Sequence, residues 1–441
     1  MYFLYNVVLA VAAVLALPYY GLKMAVTGKY RRSLGAKLGR TSPAVYDRMQ
    51  GTPRIWIHAV SVGEVTAAAP IVAALRARLP GACLVLSTGT ETGREMAGRL
   101  VGEATALIYY PLDLPPVVAR VLDRVRPDVF VMTETELWPN FIRACRVRNI
   151  KVVMVNGRIS PRSFRRYHRS RFFWKGVLDL VERVGVISGT DADRIRALGL
   201  PSSRLEILGN AKYDGLAAKV APHLREEISR RLNLPAVSDD PVLVAGSTHD
   251  GEETVVLAVY RRLLREFPAL KLILIPRHVE RGPVVRDLVR QYGYEDVITV
   301  KEITAGRRRE GERVIVVDVI GELFKIYSLA TVVFCGGSLV PRGGQNILEP
   351  AAWGKVVCYG PSMEDFRSER ELLEGAGAGI CVRNEEELFA AARMMISRPD
   401  LRVEKGEKAR EVIQANRGAA ERYADLIVGA LNADPAPPPA R

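Results

Sequence analysis

The stretch FCGGSLVPRGGQNILEPA, Phe334 to Ala351, decides how this chain is read. The apolar run ending at Phe334 and Cys335 has the composition of a buried strand, and it leads into two glycine pairs, Gly336-Gly337 and Gly343-Gly344. Glycine lets backbone approach a ligand closely and adopt positive φ without a steric penalty. A helix is expected to begin near Gln345-Asn346, where unpaired N–H groups and a positive dipole end favour an anion. Glu349 then stands where a carboxylate can accept from two adjacent sugar hydroxyls. These letters describe a seat for a nucleotide's phosphate and ribose. The spacing is neither the dinucleotide fingerprint nor a P-loop. An ordinary strand-to-helix turn, with Glu349 complementing a helix dipole, would be written the same way, so the rest of the chain has to decide.

Working outward, the strand–turn–helix unit recurs. Before the opening stretch come a strand at Val242 to Ala245 with the turn GSTH (246–249), and a strand at Leu270 to Ile275 ending in PRHVER (276–281). Nearer the N-terminus a strand at Arg54 to Val60 meets the turn SVGE (61–64) and a helix over 65–79. Cys83 to Ser87 and Asp128 to Thr133 repeat the pattern, and Val152 to Asn156 and Arg183 to Ser188 read as further strands. The rhythm pauses between Asn210 and Ala221, which marks a hinge. Such repetition means parallel sheets with helices on both faces, and ligands at the carboxyl ends of the strands. Glu64, Glu134 and Glu136 fall at such ends. The Asp191-Ala-Asp193 triplet has the spelling of a metal site, but its place at a helix start makes capping the simpler account, and no metal is expected.

A length of 441 residues implies more than one domain. The net charge of +14 points to an anionic partner or surface, while no zinc-finger spacing or RNA-binding aromatic motif supports nucleic acid. Five scattered cysteines, an odd number, suit reduced thiols rather than a disulfide framework. Tyr2 to Tyr20 is apolar apart from Asn6 and its tyrosines; as a helix it would extend roughly 28 Å, enough for one bilayer crossing. Lys23, Lys29, Arg31, Arg32, Lys37 and Arg40 follow with no acidic residue among them, which places that flank and everything after it in the cytoplasm. A cleaved signal peptide would carry its charges before the apolar run. Arg158, Arg162, Arg165, Arg166, Arg169, Arg171 and Lys175 form an acid-free basic segment interleaved with Phe164, Tyr167, Phe172, Phe173 and Trp174, suited to an anionic glycolipid at a membrane surface.

Five motifs now stand in order: HAVSVGE (58–64), ETELWPN (134–140), GSTH (246–249), PRH (276–278) and GGQNILEP (343–350). Together with the apolar N-terminus they make the chain resemble the 3-deoxy-D-manno-octulosonic acid (Kdo) transferases, from the N-terminal segment to about residue 430. The family more often has His at the place of Gln345 and Pro at the place of Ile347. The resemblance implies an α/β GT-B fold, two Rossmann-like domains facing across a cleft, preceded by one transmembrane helix. It implies an anchor (1–22), a basic juxtamembrane segment (23–50), an N-terminal acceptor domain (51–215), a C-terminal CMP-sugar domain (216–398), a helical segment (399–432) and a disordered tail (433–441). Its reaction is the inverting transfer of Kdo from CMP-Kdo to a lipid A precursor, without a cofactor, at the cytoplasmic side of the inner membrane. By motif position Glu64 is the general base and Glu134 orients the acceptor or the base. Ser247, Thr248, Arg277, His278, Gly343, Gly344, Asn346 and Glu349 are expected on the donor side, with Arg277 pairing with phosphate and Glu349 taking the ribose. The rival expectations are a GT-B enzyme with another lipid acceptor and a membrane-anchored binding protein without catalysis. A carboxylate at position 64 argues against the latter.

Overall fold

A computed structural model describes the backbone of residues 2–27, 31–102, 105–234, 240–307 and 311–433, and their side chains outside 16–17 and 19–32. The basic side chains of Lys23, Lys29, Arg31 and Arg32 and the tail 434–441 lie outside the described residues. The chain divides into two compact units, Met1–Gly215 with Asn416–Arg441, and Leu216–Ala415.

Among the described residues the first unit holds seven parallel strands: β1 (Arg54–His58), β2 (Cys83–Thr88), β3 (Ala106–Tyr109), β4 (Val129–Thr133), β5 (Lys151–Gly157), β6 (Arg183–Val186) and β7 (Leu205–Ile207), in the order β3-β2-β1-β4-β5-β6-β7. Central β1 pairs Trp56 with Val85 of β2 and with Phe130 of β4. Strands buried on both faces read as continuous apolar runs, and successive side chains go to opposite faces. Trp56, Phe130 and Met132 accordingly pack with Phe141 on one side, while Ile55, Ile57 and Val131 pack with Tyr423 and Ile427 on the other.

The second unit repeats the plan with β8 (Val242–Thr248), β9 (Lys271–Pro276), β10 (Val297–Thr299), β11 (Val314–Val316), β12 (Val332–Cys335), β13 (Val357–Tyr359) and β14 (Gly379–Cys381), ordered β10-β11-β9-β8-β12-β13-β14.

Two expectations about helices are corrected. The segment 399–432 is not one piece: the Pro399–Ala415 helix belongs to the second unit, and the Ala419–Asn432 helix returns to the first. The reason is apolar burial. Ala419, Tyr423, Ala424 and Ile427 complete one face of the first sheet, the Tyr423 hydroxyl donates to the Gly209 carbonyl at 2.7 Å, and Asp214 accepts the N–H groups of Gly418 and Ala420 at 2.6 and 2.9 Å. The helix after the two glycine pairs starts at Leu348 and ends at Ala352, later and shorter than expected, because the Asn346 side chain accepts the Leu348 N–H at 3.1 Å and holds the preceding residues in a turn.

The N-terminal helix, Tyr2–Thr27, is docked on the first unit by its opening turns. The Tyr5 hydroxyl donates to Asp113 at 2.9 Å, Asn6 accepts from the Asn140 amide at 2.6 Å, and the Tyr5 ring stacks on Phe173 with centroids 5.8 Å apart. Phe3, Leu4, Val7, Val8, Val11, Val14 and Leu15 are exposed. The chain then comes back to the same place: Ser33 is buried, and the Lys37 carbonyl accepts the Leu112 N–H at 2.9 Å. Among the described residues no helix is long and apolar enough to cross a membrane.

The basic segment forms two helices, Pro161–Arg169 and Arg171–Leu178. Its aromatics are mostly structural: Phe164, Tyr167, Phe173 and Trp174 pack against the core, and only Phe172 is well exposed. Arg162, Arg165, Arg166, Arg169 and Arg171 are exposed, while Arg158 is half-buried.

Candidate active site

In each unit the strand order changes direction at one point, between β1 and β4 in the first and between β8 and β12 in the second. Open parallel sheets bind ligands there, outside the strands' carboxyl ends. The expected site residues gather at these two points.

In the first unit β1 runs into the Val62–Arg78 helix with Ser61 at the N-cap. Glu64 is this helix's third residue. Its Oε2 accepts the Val60 N–H at 2.8 Å and its Oε1 accepts the Ser61 hydroxyl at 3.0 Å. The carboxyl is therefore oriented by its own turn. It is 8 % exposed, and burial pushes its pKa up to about 7; the charges of Glu134 and Glu136 raise it too, against the hydrogen bonds from Val60 and Ser61. Glu134 follows β4 at φ +56°, a left-handed conformation that costs a non-glycine residue of order 1 kcal/mol or more. Its Oε1 lies 3.3 Å from the Lys212 ammonium. Glu136 accepts the Trp138 indole N–H at 3.1 Å, and burial raises its pKa. Three carboxyls thus share one end of the sheet, as their positions after strands suggested. Lys212 was not foreseen, since a lysine after a loop has no distinguishing sequence signal.

His58 opens the first motif but is structural. It is fully buried, its Nδ1 lies 3.0 Å from the Ser87 hydroxyl, and its ring stacks on Tyr110 at 3.7 Å. Burial drives its pKa down to about 3, so it stays neutral.

In the second unit the glycine-rich loop is built differently from expectation. Glu252, fully buried, accepts the N–H groups of His249 and Gly337 at 2.9 and 2.7 Å on one oxygen, and those of Ser338 and Leu339 at 3.0 and 2.9 Å on the other. The loop's first turn is thereby closed to a phosphate. Gly343 donates to the Ser362 hydroxyl at 3.0 Å and Gly344 to the Gly337 carbonyl at 2.8 Å. These two glycines serve conformation instead: both have φ +82°, and a Cβ would lie 2.6 Å from Asp365 Oδ2 or 2.4 Å from Met363 Sδ. Thr248 is likewise committed, donating to Glu253 at 2.9 Å, while Glu253 pairs with Arg281 at 2.6 Å. What stays open is the stretch Gln345 to Ile347, whose N–H groups donate to no partner among the described residues.

Basic side chains adjoin that stretch. Arg277 and His278 are exposed at the end of β9. Ser247 takes a left-handed φ of +54° at the end of β8. His249 has its Nε2 buried without a partner among the described residues, and its ring centroid lies 5.9 Å from that of His278. Burial lowers the His249 pKa, and Arg342, His278 and Arg277 lower it further against the opposing charge of Glu252. Burial raises the pKa of Glu349, while Lys219, Asn346 and Arg277 oppose the shift. Arg277, Asn346 and Lys219 thus lie near Glu349, and Arg342 and Glu252 near His249. Among the described residues no cluster of His, Cys, Asp and Glu is suited to a metal. Asp191 accepts the Ile159 N–H at 2.9 Å and Asp193 pairs with Arg196 at 2.7 Å, which accounts for both.

Two Rossmann-like units with parallel sheets, each with polar groups at its switch point, define an α/β fold of the GT-B-like class. Solved structures share it: UDP-GlcNAc 2-epimerase from Neisseria meningitidis superimposes with a TM-score of 0.57 at 12 % identity, over 86 % of this chain and 99 % of that one. A glycosyltransferase from Rickettsia africae gives 0.57 at 15 % identity over 86 % and 99 %. At such identities the likeness is one of fold alone. Sequence goes further. Residues 32–215 match the family model of 3-deoxy-D-manno-octulosonic-acid transferase. The chain is 33 % identical to the 3-deoxy-D-manno-octulosonic acid transferase of Haemophilus influenzae over 96 % of its own length and 97 % of the relative's. It is 30 % identical to that of Chlamydia pneumoniae over 95 % and 94 %. The chain belongs to the Kdo transferase family and is a glycosyltransferase.

Proposed function

We propose that this chain moves Kdo from CMP-Kdo to a hydroxyl of a lipid A precursor of the lipid IVA type in one inverting displacement. Glu64 is the general base. The acceptor oxygen attacks the anomeric carbon while its proton passes to the Glu64 carboxylate, and the bond to the CMP phosphate breaks with its electron pair leaving on phosphate. A base works best with a pKa near the working pH, and the observation that carries this reading is the buried Glu64 carboxyl with a pKa near 7 and an orientation fixed by Val60 and Ser61. Glu134, tied to Lys212, orients the acceptor. On the donor side Arg277 and the N–H groups from Gln345 to Ile347 meet the phosphate as its charge builds, and Glu349 takes the ribose. Ser247, His278, Gly343, Gly344 and Thr248 shape this pocket.

We read the N-terminal helix as a membrane attachment at the cytoplasmic face of the inner membrane. A single crossing would put its two ends on opposite sides of the bilayer. Tyr5 reaches Asp113 and Lys37 reaches Leu112, which favours a helix lying along the surface with Phe3, Leu4, Val7 and Val8 toward lipid. The exposed arginines of the Pro161–Arg169 helix would meet anionic headgroups.

The test is to incubate purified protein with CMP-Kdo and a tetraacylated lipid A precursor and weigh the product. Glu64→Gln should lower turnover by about two to four orders of magnitude with CMP affinity retained. Near-normal turnover in that variant rules Glu64 out as the base.

A further inference from the structure

Asp113 joins three parts of the first unit. It is 3 % exposed, in the loop between β3 and the Pro115–Val125 helix. Its Oδ1 accepts the Phe141 N–H at 2.8 Å, and its Oδ2 accepts the Asn140 N–H at 3.1 Å and the Tyr5 hydroxyl at 2.9 Å. The first N–H groups of a helix have no partner within it. The residue at the N-cap of the Pro139–Val147 helix is Trp138, whose side chain supplies no cap hydrogen bond. Asp113 therefore caps this helix from a distance. Asn140 adds a second link: its side-chain amide donates to the Asp113 carbonyl at 2.7 Å and to Asn6 Oδ1 at 2.6 Å. Asn6 is the one amide in the apolar run from Tyr2 to Leu17, and it is spent on this contact.

The capped helix continues directly from the segment that carries Glu134 and Glu136. Trp138, at the junction, donates to Glu136 at 3.1 Å and packs 5.8 Å from the Tyr110 ring. One end of that segment is fixed by Glu134, whose N–H donates to the Val155 carbonyl at 3.0 Å. The other end is fixed by Asp113 and Asn140, and these are held in turn by the N-terminal helix.

We propose that Tyr5 and Asn6 are positioning residues for the transfer reaction: the membrane-facing helix, through Asp113 and Asn140, sets the geometry of the Glu134–Trp138 segment. The helix is then part of the catalytic unit as well as its attachment. Detaching its first turns leaves Asp113 short of one donor and frees the Asn140 amide, and the acidic segment loses its far support. This rests on reading Glu134 as the acceptor side.

The test uses the full chain in vesicles, labelled with 5-fluorotryptophan. There are four tryptophans, and Trp138→Phe assigns the Trp138 resonance. The variant Tyr5→Phe/Asn6→Leu is more apolar than the parent, so it keeps its lipid contact and should float with vesicles as before. The Trp138 resonance should move, and turnover at saturating donor should fall about ten- to a hundredfold, the scale of a misplacement near 1 Å, with the donor KM unchanged. An unmoved Trp138 resonance overturns the proposal, and so does a moved resonance with normal turnover. Glu134→Ala, measured in parallel, separates the two levels. If it too turns over normally, the acceptor-side reading has failed; if it is impaired while the double variant is normal, the coupling alone has failed. Should the double variant not fold by circular dichroism, Asn6→Leu alone is read by the same criteria.

Discussion

Glu64 carries a cost that its proposed role explains. A carboxyl whose folded pKa is raised from 4.5 to about 7 favours the protonated fold. Its contribution is intact below pH 4.5 and is lost as pH rises through 7, a difference on the order of 3 kcal/mol. Glu64→Gln has no such ionisation. Its thermal stability relative to wild type should therefore improve between pH 5 and pH 8, while its turnover is lost. A stability difference that does not change with pH would mean that Glu64 ionises as a solvated carboxyl does. Wild-type turnover should rise with pH through about 7 as the base form appears. At the donor pocket, Arg277→Ala should weaken CMP binding and lower turnover together, since the guanidinium meets charge that grows during the reaction. Glu349→Ala should chiefly raise the donor KM, because ribose contacts are made equally before and during transfer. Equal CMP affinity in Arg277→Ala and wild type, by calorimetry, would remove Arg277 from the pocket.

At the scale of elements, the central strands were legible because parallel strands buried on both faces leave long apolar runs, as in RIWIH of β1 and VLVAGST of β8. Most edge and short strands were not. β3, β7, β10, β13 and β14 have three or four residues each, too few for a period to show, whereas β12, with four, is legible from the glycine pairs that follow it. The carboxylates after β1 and β4 could be placed because strand ends point to them. The glycine-rich loop is legible in the sequence but its wiring is not, since Glu252 reads as one more acid in a helix's first turn and only the tertiary fold brings four N–H groups to it. That wiring makes a prediction. Glu252→Gln replaces one accepting oxygen by an NH₂ group, leaving buried donors unpaired at about 1–3 kcal/mol each. CMP affinity should fall by about tenfold or more, although Glu252 is not assigned to the nucleotide, and chemical denaturation should show the loss of stability. Gly344→Ala should do the same through backbone strain and the Met363 contact. Unchanged CMP affinity in both variants would mean that the loop's shape does not define the pocket.

On the scale of the whole molecule, part of the net charge of +14 lies on the exposed arginines of the first unit. The N-terminal helix and the arginine helices meet in the first unit, with Phe173 touching Tyr2 and Tyr5 at centroid distances of 6.2 and 5.8 Å and Phe172 exposed beside it. Exposed apolar side chains and exposed arginines thus adjoin, the composition of a surface that sits in a headgroup layer. Two terms should then be separable in vesicle binding. Apolar burial is insensitive to salt and to lipid charge, whereas each arginine near an anionic surface adds about 1 kcal/mol at best and is screened over about 10 Å at 0.1 M salt. Replacing Arg165, Arg166, Arg169 and Arg171 with Gln in the full chain should leave flotation on neutral vesicles unchanged. It should abolish the preference for anionic vesicles, worth up to roughly 4 kcal/mol in the parent at low salt. Raising the salt should bring the parent's anionic preference down to the variant's. The acceptor KM should rise in the variant while the donor KM holds, because the residues proposed for the donor belong to the second unit. If the quadruple variant keeps its anionic preference and its acceptor kinetics, the arginines are a solvated face and the helix alone attaches the enzyme.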